Sequence, residues 1–336
     1  MCLNTFISED ARHFTEFIKF KRSLGFKYTG QAYRLMSFDK YLYRSRCSCG
    51  QLTMEQIKGW TARRPNESEL TRYGRIVLLK EFLTYLRNNG IATPIPMLPK
   101  YPTSTFVPHI YSDMEINAIF RECDRMRLEQ KQMNAYLFIM PCMLRMLYAT
   151  GIRIGEAISL NNGDLDLHEQ YLTLHDTKNT KDRYVPFNES LTSVCKEYLR
   201  QRNALHINGA GEPGSPFFIS TIGNRCHREN VEKWFRRILL QAGIPINANG
   251  VGPRLHDLRH TFACHSFAGL MRNGDDLYCS WPYLSAYLGH QSLRATEQYV
   301  RLTEQLYPEL LEVSEQVYVE VLPDIVSLEG RRHERL

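Results

Sequence analysis

Arg254-Leu255-His256-Asp257-Leu258-Arg259-His260-Thr261-Phe262 opens the stretch of sequence that decides the fold, and Leu288-Gly289-His290, followed by Tyr299, closes it. Leu255, Leu258 and Phe262 recur at helical spacing, which predicts a helix with one buried stripe. His256 and Arg259 are three residues apart, so they share the neighbouring flank of that helix. The sequence therefore predicts that one helix presents an imidazole and a guanidinium on the same side.

The closing part of this stretch adds a second imidazole and a phenol. Gly289 predicts a sharp turn that projects His290, and Tyr299 follows on a helix. Arginine holds anionic oxygens in a planar fork, histidine moves protons near neutral pH, and tyrosine can act as a nucleophile. Together these side chains suit chemistry at a phosphodiester.

The same residues resemble the signature boxes of the tyrosine recombinase (phage integrase) family. The matches are residues 256–262, residues 288–290 and Tyr299. The family also has an Arg just after Thr-Gly, and Arg153 matches it within Ala149-Thr150-Gly151-Ile152-Arg153-Ile154-Gly155-Glu156. Four matches in the family's order are more specific than any single motif. They cover the chain from about residue 144 to residue 300.

The resemblance implies a mostly α fold, with an N-terminal helical core-binding domain and a larger helical catalytic domain that carries a small β-sheet. It also implies an enzyme that cuts and rejoins DNA strands at specific sites through a 3′-phosphotyrosyl intermediate. The implied partners are double-stranded DNA with specific core sites and other copies of the chain, in a tetramer on two DNA sites. Because the phosphodiester energy stays in the protein–DNA bond, neither a metal nor ATP nor another cofactor is implied.

The catalytic residues that the resemblance implies are Arg153, Lys178, His256, Arg259, His290 and Tyr299. Tyr299 would attack the scissile phosphate, while Arg153 and Arg259 neutralise charge in the transition state. His290 would hydrogen-bond a non-bridging oxygen. His256 would assist proton movement to and from Tyr299, and Lys178 would protonate the leaving 5′-oxygen.

The position of the lysine depends on a predicted β-hairpin. Residues 171–174 and 183–187 alternate as short strands around the polar loop 176–182. Lys178 best matches the family's catalytic lysine, and Lys181 is the competing choice. Asp164 and Asp166, just before the hairpin, are interpreted as part of a turn rather than as a metal site.

Charge is distributed unevenly along the 336 residues. Residues 1–100 hold 17 Lys/Arg against 8 Asp/Glu, residues 101–300 hold 21 against 20, and residues 301–336 hold 4 against 8. A basic N-terminal domain is typical of a protein that binds a polyanion, although such charges can also simply solvate a helical surface. The predicted DNA-contacting residues are Lys19, Lys21, Arg22, Arg236 and Arg237.

Helical patterns and prolines predict the domain boundaries. Residues 1–91 form a helical core-binding domain, and the prolines of residues 92–110 make that segment an extended linker. Residues 111–300 form the catalytic domain, which opens with the capping box Ser112-Asp113-Met114-Glu115. Residues 301–336 are an acidic tail that either docks on a neighbouring subunit or packs on its own domain.

Composition predicts the cellular setting. The N-terminus lacks the pattern of a signal peptide, and the apolar region 135–152 is interrupted by Pro141 and Arg145, which favours a buried helix over a membrane span. Nine cysteines, an odd number, do not fit a complete disulfide framework and favour the cytoplasm. A zinc site at Cys47 and Cys49 would need a second Cys/His pair, and none with zinc-site spacing lies nearby in the sequence. Two histidines of residues 256–265 are four apart on a predicted helix, but Asp257 follows His256 where the metalloprotease pattern has Glu.

Three other functions stay open. A type IB topoisomerase-like enzyme would use the same chemistry to relax one duplex, a non-catalytic DNA-binding protein could share the fold, and a metal-dependent hydrolase would require a metal.

The segment 274–282 makes the gap between Arg259 and His290 longer than is common in the family. It is interpreted as a surface insertion or as a contact with DNA or a neighbour. A mobile element is the expected setting of the enzyme, but the DNA target is not encoded in these motifs.

Overall fold

The computed structural model describes residues 6–102, 107–129, 135–175, 182–246, 252–275, 277–289, 299–303 and 306–307. The chain divides into two compact units, residues 1–106 and 107–336. The described parts are mostly helical with a small β-sheet, as the sequence predicts. The division falls within the proline-containing segment that follows the first group of helices.

The first unit is built around its fourth helix. The helices described in it are α1 (Ala11–Ser23), α2 (Thr29–Ser45), α3 (Met54–Thr61) and α4 (Glu69–Asn88). α4 contacts each of the other three, and its buried residues Leu79, Phe82 and Leu86 lie on one face because they recur at helical spacing. Ser68 caps α4 by accepting a hydrogen bond from the Thr71 amide. The helical character that the sequence predicts for this region is confirmed.

The second unit surrounds α6. The helices described in it are α5 (Asp113–Glu129), α6 (Ala135–Thr150), α7 (Ile154–Ser159), α8 (Glu189–Asn203), α9 (Arg228–Gln241), α10 (Asp257–Arg272) and α11 (Leu277–Leu288). The predicted capping box opens α5, since Ser112 Oγ accepts from the Glu115 amide at 3.3 Å and the Ser112 amide donates to Glu115 Oε2 at 2.8 Å.

α6 is the buried helix that the apolar region predicts. It packs against α5, α8, α9 and α10, and its Ile139, Met143 and Leu144 are fully buried. Pro141 lies inside the helix, where its ring removes one backbone donor without ending the helix. Among the residues that the structure describes, no helix has the length and apolar character needed to cross a bilayer.

Two strands of the sheet flank, in the sequence, the segment 176–181 that contains the candidate lysines. In the described residues the sheet has three antiparallel strands in the order β1 (Leu165–Asp166), β2 (Tyr171–Leu174) and β3 (Arg183–Pro186). Leu172 pairs with Val185 in the β2–β3 ladder, and both side chains are fully buried. The two predicted strands are confirmed. The sequence did not predict β1, a two-residue strand that pairs with β2 at the place interpreted as a turn.

The segment 274–282 is mostly the beginning of a helix. α11 starts at Leu277, contains Pro282 and packs on α10, with Leu284 and Leu288 buried among residues of that helix. Within residues 274–282 themselves, Gly274, Asp275, Cys279 and Pro282 are exposed, whereas Ser280 is buried and Trp281 packs on the cluster that contains Leu288. Gly289 ends the helix in the left-handed region, at φ +65°, as the predicted turn requires.

Candidate active site

Arg259 is held in place by two main-chain carbonyls. It lies on the first turn of α10, only 2% exposed. Its Nη1 donates to the carbonyl of Gly151 at 2.7 Å, and its Nη2 donates to the carbonyl of Leu288 at 2.7 Å. One guanidinium thus joins the start of the α7 segment to the end of α11. These two chain segments lead directly to Arg153 and to residue 290.

Gly151 is required by the close approach of α10. Its φ is +60°, and a Cβ at this position would lie 2.3 Å from the ring of Phe262. Only glycine satisfies both the left-handed conformation and the contact with the ring. The chain therefore turns tightly enough for Arg153 to begin α7 two residues later.

Arg153 belongs to a network of two arginines and one glutamate. Its Nη1 donates to Glu156 Oε1 at 2.8 Å, and its amide donates to Glu156 Oε2 at 2.8 Å. Arg183, the first residue of β3, donates to both oxygens of the same carboxylate, at 3.2 and 3.0 Å. The pairing of Arg153 with Glu156 does not remove Arg153 from the site, because the guanidinium keeps further donors for an anion.

The charge of Glu156 is stabilised by these arginines. Burial raises the pKa of the Glu156 carboxyl, but the hydrogen bonds from Arg183 and the Arg153 amide outweigh that effect and hold the pKa below its ordinary value. Arg183 also packs against the turn at Gly289, where a Cβ would lie 2.7 Å from Arg183 Nη1. The network therefore links the hairpin, α7 and the turn before residue 290.

Tyr299 is buried against α10 of its own chain. Residues 299–303 are helical, and the Tyr299 ring is 2% exposed within a cluster that includes Ala263, Phe267 and Leu288. Ala263 is completely buried, and its small side chain leaves room for this packing. The phenol oxygen lies 2.9 Å from Nδ1 of His260. Tyr299 thus lies in contact with the helix that carries Arg259.

His256 lies at the mouth of a basic cleft. It is the residue before α10, and its side chain is exposed. The cleft has a volume of about 460 Å³, and its lining includes His256, Arg254, Arg228 and Arg236. Partial desolvation and the charges of Arg259 and Arg254 lower the pKa of His256, so its imidazole is neutral near pH 7.

The four described candidates are electrostatically coupled. Burial and the charge of Arg153 lower the pKa of Arg259 to about 10, which still leaves the guanidinium protonated at neutral pH, and Tyr299 acts on the same pKa in the opposite direction. Arg153 and Arg259 also contribute to the lowered pKa of His256. The structure therefore brings Arg153, His256, Arg259 and Tyr299 together. Lys178, Lys181 and His290 lie outside the described residues.

The predicted DNA-contacting residues differ in their surroundings. Lys19 and Arg22 are exposed on α1, whereas Lys21 is only 20% exposed and pairs with Glu81 at 2.9 Å. On α9, Arg236 is exposed and lines the cleft that contains His256. Arg237 is also exposed, with its guanidinium 4.6 Å from the centre of the buried Trp234 ring.

His260 and Arg183 belong to the site, although the sequence did not assign them to it. The sequence indicated His260 only as part of an alternative zinc cluster, and Arg183 only as a strand residue. His260 follows Arg259 directly and lies four residues after His256, which is one turn further on the same face as His256. That spacing was the available signal. Its contact with Tyr299 depends on tertiary packing and cannot be read from the spacing of α10 alone.

Comparisons with known proteins point to one family. Residues 112–305 match the phage integrase family. The integrase/recombinase y4rB of Sinorhizobium fredii is 29% identical over 301 residues, which cover 88% of this chain and 94% of that protein. The tyrosine recombinase XerC of Chlamydia caviae is 26% identical over 246 residues, covering 72% of this chain and 70% of that protein.

A solved structure shows the same fold. The lambda integrase tetramer bound to a Holliday junction aligns with a TM-score of 0.60 at 17% identity, covering 88% of this chain and 78% of that one. The helical architecture with its small sheet is therefore shared with that protein.

Proposed function

This chain belongs to the phage integrase family, and we propose that it is a site-specific DNA recombinase that cuts and rejoins strands through a covalent bond to Tyr299. The observation that carries the proposal is the packing of the Tyr299 phenol against α10, the helix that also presents Arg259. A nucleophile and a cation for the same phosphate are thereby offered by one protomer. The relatives named as integrases and recombinases support the same activity.

The two arginines are assigned to the phosphate. Arg259 is directed by two main-chain carbonyls, and Arg153 keeps donors beyond its bond to Glu156. Preorganised cations of this kind stabilise the charge that develops on the non-bridging oxygens in the transition state. Lys178 is assigned to the protonation of the leaving 5′-oxygen, with Lys181 as the alternative, and His290 to a non-bridging oxygen. His256 is assigned to assisting the movement of the phenol proton to and from Tyr299.

The proposed partner is double-stranded DNA that contains specific core sites. Arg236 and His256 line one cleft, so phosphates beside the scissile one would meet Arg236 together with Arg228 and Arg254. In the first unit, exposed Lys19 and Arg22 are better placed to contact phosphates than Lys21, which Glu81 already pairs. We also propose that the chain forms a tetramer on two DNA sites, and the lambda integrase tetramer bound to a Holliday junction supports that assembly. A cytoplasmic location and a role for a mobile element belong to the same proposal.

A nicked duplex tests the chemistry. The duplex would come from DNA that flanks the gene, with the nick placed so that the cleaved fragment diffuses away and the covalent adduct accumulates. We expect wild-type protein to form an adduct through a 3′-phosphate in the presence of chelator, and Tyr299→Phe to form none. An adduct that requires a divalent metal, or one that survives Tyr299→Phe, would contradict the proposal. Relaxation of supercoils without joining of two sites would instead identify a topoisomerase-like enzyme.

A further inference from the structure

The histidine that contacts the phenol is His260. Its Nδ1 lies 2.9 Å from Tyr299 Oη, and the residue is only 7% exposed. His256, which the family resemblance suggested for proton movement, lies one turn earlier, with its ring centroid 4.9 Å from that of His260. The phenol oxygen of Tyr299, the proposed nucleophile, is therefore hydrogen-bonded to the imidazole of His260 in α10 and not to that of His256.

The surroundings of His260 favour the tautomer that accepts a proton at Nδ1. Its Nε2 lies 4.0 Å from Asp257 Oδ1, so the negative charge of that carboxylate favours a proton on Nε2. Asp257 is itself held by Arg254, whose amide donates to Oδ2 at 2.8 Å and whose guanidinium donates to Oδ1 at 3.1 Å. With the ring proton on Nε2, the phenol of Tyr299 donates to the lone pair of Nδ1.

We propose that His260 is the catalytic group that accepts the phenol proton when Tyr299 attacks DNA, an inference that rests on the proposed recombinase function. As the Oη–H bond breaks, Nδ1 of His260 gains the proton. Oη forms a bond to phosphorus, and the bond from phosphorus to the 5′-oxygen breaks. The leaving oxygen takes its proton from a separate acid, assigned above to Lys178. In the reverse step a 5′-hydroxyl attacks phosphorus and gives its proton to the group that acted as the acid, assigned above to Lys178. The bond from phosphorus to Oη breaks, and the His260 imidazolium returns its proton to the departing phenolate.

Charge at the site explains how DNA would activate this base. The groups that face His260 are His256, Asp257, Arg254, Arg259 and Tyr299. Burial and the positive charges among them lower the pKa of His260 to about 4, which keeps the ring neutral in the free protein. A phosphate bound between Arg153 and Arg259 would offset those charges. The pKa of His260 would then rise, making the ring a better acceptor when the substrate is in place.

The test compares two histidines of α10 that each bind a tyrosine. His265 provides the matched control, because its Nδ1 lies 3.0 Å from the hydroxyl of Tyr148. On the nicked duplex, we expect His260→Asn to slow single-turnover adduct formation by about 10²-fold to 10⁴-fold, the usual contribution of a general base. We expect His265→Asn to cleave at the wild-type rate. His260→Gln serves as the second variant if the unfolding midpoint shows that His260→Asn does not fold.

Acidified tyrosine distinguishes proton transfer from packing. With 3,5-difluorotyrosine at position 299, the phenol ionises more readily, so much of the rate lost in His260→Asn should return. A 5′-bridging phosphorothiolate, whose leaving sulfur needs no acid, should rescue Lys178→Ala and leave His260→Asn slow. The rate of the wild-type protein should also fall as pH drops through the pKa of His260 in the DNA complex, and this step should be absent in His260→Asn.

The outcomes separate this inference from the proposed function. If wild-type protein forms an adduct and His260→Asn forms it equally fast, His260 is not the acceptor and the recombinase proposal stands. The role of His260 is also overturned, again without harm to the recombinase proposal, if difluorotyrosine leaves the folded His260→Asn protein as slow as before. If wild-type protein forms no adduct through Tyr299 on any flanking duplex, the proposed function fails, and the role of His260 fails with it.

Discussion

At the scale of single residues, Gly151 has the strictest requirement in the site. An alanine there would combine a positive φ with a Cβ 2.3 Å from the Phe262 ring. We expect Gly151→Ala to lower the free energy of unfolding by about 2 to 4 kcal/mol, the sum of left-handed strain and overpacking. Urea unfolding would measure the loss.

The matched control is Gly155, in α7, where a Cβ would meet no atom within 4 Å. Gly155→Ala should leave stability unchanged or raise it by up to about 1 kcal/mol, because alanine is the better helix former. Equal destabilisation by both substitutions would show that the contact with Phe262 is unimportant.

Glu156 gives a residue-scale prediction that depends on pH. Its pKa is lower in the folded protein than in the unfolded chain, because the hydrogen bonds from Arg183 and the Arg153 amide outweigh burial. The carboxylate therefore contributes stability that is present above the unfolded pKa of about 4.3 and is lost as pH falls through the folded pKa. Glu156→Gln should lower the unfolding free energy by about 3 kcal/mol at neutral pH, since it leaves two arginines with a weaker partner.

Urea midpoints of wild type and Glu156→Gln across the acid range would check this dependence. The two curves should converge as wild type loses its carboxylate charge. A difference that stays constant from neutral to strongly acidic pH would mean that size or packing, rather than charge, makes Glu156 important.

At the scale of elements, His175 holds the base of the hairpin. Its Nδ1 lies 2.8 Å from Asp182 and its Nε2 lies 3.1 Å from Asp164. The hydrogen bond to Asp182 raises the pKa of His175, although the ring is solvent-exposed. Its contribution is therefore fully present below the unfolded pKa of about 6.5 and is lost as pH rises through the folded pKa.

We expect His175→Asn to speed amide exchange in β2 and β3 near about pH 6, where the wild-type ring is charged, and to have little effect at about pH 9. Hydrogen exchange, corrected for the intrinsic pH dependence of each amide, is the measurement. An effect of equal size at both pH values would contradict the role of the imidazolium.

Elements with strong local patterns could be predicted from the sequence, and contacts between elements could not. The spacing of Leu258 and Phe262 indicates α10, although Leu255, expected in the same helix, lies before its first residue. Ser112 with Glu115 indicates the start of α5, and short-range interactions decide both elements. Neither β1 nor the helical start of residues 277–282 has such a pattern. The contact of His260 with Tyr299 requires two distant segments to pack together. Sequence spacing therefore reveals the two residues but not that their side chains are in contact.

At the scale of the whole molecule, the uneven charge predicts how DNA binding responds to salt. Each phosphate contact that is removed should reduce the slope of log affinity against log salt by about 0.9. We expect the double substitution of Lys19 and Arg22 by glutamine to weaken binding and to reduce the slope by about 1.8. Fluorescence anisotropy with a labelled core-site duplex would provide both quantities.

The control removes equal charge from other helices of the first unit. Lys40 on α2 and Lys58 on α3 are exposed, and their double substitution by glutamine should leave the slope nearly unchanged. Equal slopes for the two double variants would show that net charge, rather than contacts made by α1, governs the affinity.

The anchoring of Arg259 has a consequence for how this chain can diverge. Both of its anchors are peptide carbonyls, at Gly151 and Leu288, so the aim of the guanidinium depends on the path of the backbone. Substitutions that change side chains but preserve the backbone path leave the orientation of the Arg259 guanidinium unchanged. A single inserted or deleted residue within α11 would rotate the final carbonyl by about 100° around the helix axis and break one anchor. Length changes should therefore be far less tolerated there than exchanges of residue type.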